Sequence, residues 1–194
     1  MIKKLEIRNL KCIEKLEIEC SRLNVFIGTN SSGKSTIQQA LLFVGQNMEE
    51  SAGLNGKYIH LGEFEEVRCQ YGDSKEIQVK VVDDEEYHVT KILKRDSETN
   101  KLHLITKTKK DGHLPIKVTD RQFQYLSCHR IGPVALYKKN MTLEEDLGND
   151  GEFAIAYLNE HGSDVLEQQL CQGEEDFTLL GQVNWWLNYI VGAE

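Results

Sequence analysis

Proline is almost missing from this chain. Pro115 and Pro133 are the only two in 194 residues, so there is no Pro-rich linker. Cysteine is sparse as well: five residues, at 12, 20, 69, 128 and 171, an odd count with no Cys-x-x-Cys pair. That pattern argues against a disulfide framework or a zinc site and for reduced thiols in a cytoplasm. No apolar run reaches the roughly 20 residues of a membrane helix. The opening Met1-Ile2-Lys3-Lys4-Leu5-Glu6-Ile7 alternates charged and apolar residues, unlike a secretory leader. Positive charge is also in deficit. With 23 Lys and Arg against 31 Asp and Glu the formal charge is −8. Sequence-independent coating of DNA is therefore not expected, although a local basic patch is compatible with it. Internal repeats and low-complexity tracts are absent.

What is present suits a globular protein: 40% hydrophobic and 28% charged residues, enough for one domain with a core or two very small ones. Leu5 and Ile7, then Ile13, Leu16 and Ile18, then Leu23, Val25 and Ile27 form three short alternating runs, which predict three strands before Gly28. The period then lengthens. Ile37, Ala40, Leu41, Val44 and Met48 recur at helical spacing, with Gly45 a weak point. Residues 49–75 read as irregular. From 76 to 118 alternation returns, interrupted by Asp83-Asp84-Glu85, 96–100 and Asp111-Gly112, which predicts an antiparallel meander with hairpin turns. A short strand follows near Tyr125–Cys128. Beyond Pro133 two helices are expected, one on Phe153, Ala154, Tyr157 and Leu158 closed by His161-Gly162. The other carries Leu179, Val183, Trp186, Leu187 and Ile190 and is closed by Gly192. The organisation is thus strands, loop and helix in 1–48, meander and following strand in 76–134, and a helical part in 150–192.

Gly28-Thr29-Asn30-Ser31-Ser32-Gly33-Lys34-Ser35 matches G-x-x-x-x-G-K-[ST]. A random match in a chain this long has a chance below about one in a hundred, and the match lies between an apolar strand and an amphipathic helix, as the motif requires. Each residue type has its reason. The glycines let the backbone approach a phosphate. Successive N–H groups of Asn30, Ser31, Ser32 and Gly33 line the concavity, and the helix start adds its positive dipole end. Lys34 brings a full charge to β- and γ-phosphates, Ser35 offers a hydroxyl to Mg²⁺, and Thr36 donates to the α-phosphate. ATP with Mg²⁺ is the expected ligand pair. The plain alternative is a Gly/Ser turn capping an ordinary helix.

A complete ATPase of this class also needs an apolar strand ending in Asp or Asp-Glu, the Walker B element. Val79-Lys80-Val81-Val82-Asp83-Asp84-Glu85 is the one candidate. Lys80 breaks its apolar run, and a central strand buried on both faces should not alternate. A solvated hairpin turn is the preferred reading, so the catalytic acid is unassigned.

The opening Ile2–Lys11 block, the Asn24–Gly28 strand and the loop Gly28–Ser35 together resemble the ATPase heads of the structural-maintenance-of-chromosomes, RecF and OLD nuclease group, which are ABC-type ATPases. Leu61-Gly62-Glu63-Phe64, Arg130-Ile131-Gly132-Pro133, Gly148–Glu152 and Val183–Leu187 are similar to the prokaryotic AAA-annotated subgroup, often encoded in anti-phage defence loci. The resemblance implies an α/β P-loop NTPase fold: the N-terminal lobe of an ABC/SMC-like head, with an antiparallel β-meander. The second lobe, with its signature motif, Walker B and switch His, is absent from the chain, whether through truncation, a longer parent chain or a split protein. It also implies ATP sandwiched between two heads, a second head and the C-terminal lobe as partners, and control of DNA processing or a nuclease. No membrane role is implied. An ABC transporter subunit fits the Arg8-Asn9 opening and the long meander less well. The rival of a different class is a non-hydrolysing nucleotide-binding regulatory module.

Other residues are weaker candidates. Family heads often place a basic residue from the Arg8–Lys11 turn beside the phosphates, which points to Arg8 ahead of Lys11. A glutamine that positions Mg²⁺ and water is expected, and Gln38, Gln39 and Gln70 are not ranked by sequence; Gln70 follows Glu66–Cys69, which reads as a strand. Each is more ordinarily a surface residue. His129 near Gly132-Pro133 is a titratable candidate whose ordinary role is structural. Lys107, Lys109 and Lys110 read as a basic hairpin tip, solvated or facing a nucleic-acid backbone. Of Trp185 and Trp186, one ring is expected in a core and the other against the second lobe or a partner.

Overall fold

The computed structural model describes residues 1–48, 52–56, 58–72, 74–109, 125–127, 134–141, 147–148, 150–173 and 176–192. The chain forms two compact units, Met1–Phe123 and Gln124–Glu194.

In the first unit five strands make one antiparallel sheet: β1 (Ile2–Leu10), β2 (Ile13–Glu19), β3 (Glu76–Asp83), β4 (His88–Arg95) and β5 (Leu102–Lys109), in the order β2-β1-β3-β4-β5. Directly paired residues share a face. Leu5 and Ile7 on β1 therefore join Val81 and Val79 on β3, and these join Val89 and Lys91 on β4. That face is buried, with the apolar members wholly covered. The opposite face carries Lys4, Glu6, Lys80, Thr90 and Lys107. Helix α1 (Lys34–Gln46) lies against β1 and β3 and buries Ala40, Phe43 and Val44 completely. A fully buried side chain such as Phe43 stabilises the fold by about 1.5–3 kcal/mol. A single turn, α2 (Phe64–Val67), has a reciprocal capping box between Glu63 and Glu66 and buries Phe64 and Val67.

The meander is as expected, and so is its first turn. Asp83 is buried and its carboxylate accepts from the N–H groups of Glu85 (2.9 Å) and Tyr87 (2.8 Å). Asp84 pairs with the N-terminal ammonium at 2.6 Å. In the next turn the Asp96 carboxylate accepts from Glu98, from Thr99 and from the Thr99 hydroxyl, bonds that hold it below its ordinary value. The Asp111-Gly112 turn lies outside the described residues.

Two expectations differ. Leu23, Val25 and Ile27 pair with no strand among the described residues; Leu23 lies in a bend, and the three are 80%, 71% and 90% exposed. The side-chain pattern is that of a strand, but no strand forms, and this sheet, whose edges are β2 and β5, offers the segment no partner. Residues 125–127 are likewise not a strand, and Cys128 lies outside the described residues.

The second unit contains α3 (Ala154–His161) packed on α4 (Leu179–Val191). Thr178 caps α4 by accepting from the Gly181 N–H at 3.1 Å. The apolar stripe of α4 is largely exposed, as is one of its two tryptophans, Trp186. Trp186, Leu187 and Ile190 are exposed, and the buried side chain is Gln182, which bonds the backbone of Gln172 and Asp176. Among the described residues no helix is long and apolar enough to cross a membrane.

Lys91 lies on the core face, 2% exposed, donating to the Asn47 carbonyl at the end of α1 and to the Thr106 hydroxyl (2.8 Å). Burial holds its ammonium below the ordinary 10.5. The unfolded chain therefore binds more protons than the folded one between the two values, and stability from this residue rises with pH through that window. Denaturant unfolding of the wild type and Lys91→Met from about pH 7 to 10.5 should give a stability difference that moves in favour of the wild type as pH rises. A pH-independent difference would mean that the ammonium is solvated.

Candidate nucleotide site

The loop between residues 28 and 33 is bent by three left-handed residues: Gly28 (φ 155°), Ser31 (φ 62°) and Gly33 (φ 95°). Gly33 is the N-cap of α1, and it offers no side-chain oxygen to the first turn. The first helical bond is made by the Ile37 N–H to the Gly33 carbonyl, at 3.2 Å. The N–H groups of Lys34, Ser35 and Thr36 precede that bond and form the open, positive end of the helix. No acidic side chain lies in the first turn to compete with an anion.

Lys34 folds back over the loop. Its ammonium donates to the carbonyls of Gly28 (2.7 Å) and Thr29 (2.6 Å), with Ser32 Oγ at 3.4 Å. These acceptors hold a full positive charge directly above the concave backbone. Ser35 is exposed beside it, and Thr36 is buried. Asn30, Ser31 and Ser32 are exposed on the outer rim. The structure places the motif residues 28–36 in one loop and helix start, with Lys34 turned back onto the loop.

The cradle has a neighbour that sequence reasoning missed. Cys12, in the turn between β1 and β2, has Sγ 3.9 Å from Thr36 Oγ1 and 3.0 Å from the point where a Cβ on Gly33 would stand. Gly33 thus has two reasons to be glycine: its backbone angle and its closeness to Cys12. Nothing in the spacing of residues 12 and 33 shows this, because the contact is tertiary.

The other sequence candidates fall elsewhere. Arg8 is exposed on β1, opposite Lys15 and Gln78, and lines a cleft to which no residue of the 28–36 loop contributes. Gln70 is exposed next to Cys69, whose N–H bonds the Asn9 carbonyl at 3.1 Å. The segment before it is the turn α2 rather than a strand, because the Glu63–Glu66 capping box favours helix; only Arg68 bridges to Leu10. Gln38 and Gln39 lie on α1, the first exposed and the second half-buried. Lys107 and Lys109 stand on the last part of β5, paired with Thr90 and His88, and the turn expected after them lies outside the described residues. Burial, then Lys80 and Lys109, hold His88 below its ordinary value. Lys110, His129 and Arg130 lie outside the described residues.

Asp83 and Asp84 are not disposed as a catalytic pair. β3 runs antiparallel to both of its neighbours with alternating burial, and its two terminal carboxylates are bound to turn N–H groups and the N-terminal ammonium. Neither Asp83 nor Asp84 is thus free to act as the acid of a Walker B element.

Residues 1–168 match a family model described as AAA ATPase domain. No curated protein matches the chain.

Gly33→Ala tests the cradle's construction. A Cβ at φ 95° and 3.0 Å from Cys12 Sγ should cost about 1–3 kcal/mol of stability and abolish phosphate binding. Adding Cys12→Ala should restore the steric part of the loss and leave the backbone part. Unfolding curves that superimpose on the wild type would refute the described loop geometry.

Proposed function

Since the chain belongs to the AAA ATPase domain family, we propose that residues 28–36 bind the triphosphate of ATP together with Mg²⁺, and that this lobe works as half of an SMC/RecF/OLD-like ATPase head. The observation that carries the reading is the Lys34 ammonium held over a left-handed glycine loop at the open end of α1. Anions are favoured at such a helix start by oriented N–H groups and the helix dipole. Lys34 exchanges its carbonyl acceptors for β- and γ-phosphate oxygens. Ser35 holds Mg²⁺, which when bound neutralises the phosphate charge. Thr36 donates to the α-phosphate. Catalysis in this class is positioning and charge stabilisation.

The engagement of Asp83 and Asp84 elsewhere, and a Leu23–Ile27 segment that pairs with no strand among the described residues, point the same way. An exposed apolar segment leading directly into a phosphate loop fits a strand whose neighbours come from a second lobe, and that lobe also supplies the Walker B acid and signature. ATP then joins two heads and hydrolysis parts them, a motion suited to controlling a DNA-processing or nuclease partner. The exposed Trp186, Leu187 and Ile190 of α4 fit a surface for the second lobe or another head. A second reading, a regulatory module that binds nucleotide without hydrolysis, is favoured by the engagement of Asp83 and Asp84 in structural bonds.

Calorimetry with MgATP tests the proposal. Lys34→Ala removes a charge-assisted contact of about 1.5–3 kcal/mol, and should weaken binding roughly 10- to 150-fold with the fold intact. Turnover by the 194-residue chain should stay well below about 1 s⁻¹, and rise when a second-lobe chain is added. Equal affinity of wild type and a folded Lys34→Ala would sink the assignment; a second lobe that binds without raising turnover would favour the regulatory module.

A further inference from the structure

The β1–β2 turn meets the first turn of α1 through one side chain. Leu10 and Ile13 pair across the turn, which leaves Lys11 and Cys12 at its tip. Lys11 is left-handed, at φ 50°, and its N–H donates to the Val67 carbonyl at 2.7 Å. The Cys69 N–H donates to the Asn9 carbonyl at 3.1 Å, and Arg68 bridges to Leu10. The chain at the end of α2 therefore clamps the turn from one side. On the other side Cys12 meets the phosphate loop. Its sulfur stands 3.0 Å from the point where a Gly33 Cβ would be, and 3.9 Å from Thr36 Oγ1. An anchored backbone and a close approach to Gly33 fix where the thiol lies.

Thr36 is the third residue of α1 and is 6% exposed. A threonine hydroxyl in a helix can bond a carbonyl one turn back. Thr36 makes no such bond among the described residues, and the partner of its hydroxyl there is the Cys12 thiol. Either atom can give the proton. A hydroxyl has one proton and two lone pairs, whereas a thiol is a weak donor with a weakly accepting sulfur. If Thr36 donates to sulfur, its one proton is turned away from the loop. If the thiol donates to Thr36, the hydroxyl proton is left for an anion. A phosphate oxygen decides between the two, because a bond to a charged acceptor is roughly twice as strong as one between neutral groups. The two bonds then run in series and strengthen each other.

We propose that Cys12 is a positioning residue of the nucleotide site: its thiol donates to Thr36 Oγ1 and so directs the hydroxyl proton toward the α-phosphate. This role rests on the nucleotide reading of residues 28–36. Cys12 touches no phosphate and acts through Thr36 alone. Gly33 is what lets the sulfur come close enough, since a Cβ there would stand against it.

The test uses the full chain with MgATP and with inorganic triphosphate. Difference infrared spectra of the S–H stretching region isolate the Cys12 band by its loss in Cys12→Ala. Binding of either ligand should move that band to lower wavenumber, because the thiol becomes a stronger donor. In Thr36→Val the band should stay where it is. By calorimetry Cys12→Ala should bind MgATP about two- to tenfold more weakly, with an unchanged melting temperature, since Cys12 is exposed. The double variant of Cys12→Ala and Thr36→Val should bind no more weakly than Thr36→Val alone. A band that the ligands leave unmoved, a shift that persists in Thr36→Val, or losses that add in the double variant would overturn the proposal. If any of these appears while Lys34→Ala still loses affinity, the nucleotide reading stands and only the role of Cys12 falls. A wild type that binds neither ligand would overturn both.

Discussion

A phosphate-binding helix start needs the rest of the helix to be immobile, and here that depends on one buried ammonium. Lys91 reaches from the core face of β4 to the Asn47 carbonyl, just beyond the last turn of α1. A cation at that end complements the helix dipole, whose positive end forms the cradle. Polar neighbours complete the attachment. Asn47 donates to the Phe43 and Gly53 carbonyls and accepts from the Gly53 N–H, while Gln46 bonds Gly53 and Ile59. Those bonds explain why Gln46, Asn47 and Lys91 are buried among apolar side chains. Each satisfies a backbone group that would otherwise be stranded at a buried helix end.

The other end of α1 is held by shape. The β1–β2 turn brings Cys12 against Gly33 and Thr36, so the sheet supports the cradle from the side. Charge is sorted to match. On the far face of the sheet Glu6 sits between Lys4 (3.1 Å) and Lys80 (3.0 Å). Burial pushes its carboxyl up, but the two ammonium groups outweigh that and leave it below its ordinary value. On the core face the Lys91 charge is directed at α1.

Features set by local chemistry were legible in the amino-acid order. Alternation from Ile77 to Val81 and from Val89 to Leu93 marks strands because one face of each is buried. The motif at 28–35 marks the loop because few other residue types tolerate its backbone. Tertiary features were not legible. Leu23, Val25 and Ile27 have the pattern of a strand, but a strand also requires neighbours, which no periodicity reveals. The capping box drew Glu66 and Val67, the start of the strand expected over 66–69, into a helical turn. On α4 the apolar pattern does not reveal that Gln182 occupies the buried position, its amide bonding backbone carbonyls of the preceding loop. The closeness of Cys12 to Gly33 comes from the sheet register and leaves no trace in spacing.

The central claim is that the loop recognises phosphate through its backbone N–H groups and Lys34. Amide NMR of the full chain during titration with MgATP, inorganic triphosphate and adenosine tests it directly. The account predicts large shifts at Gly33, Lys34, Ser35 and Thr36 with MgATP and with triphosphate, and none at those amides with adenosine. Amides that stay unmoved by triphosphate, or that respond equally to adenosine, would contradict it.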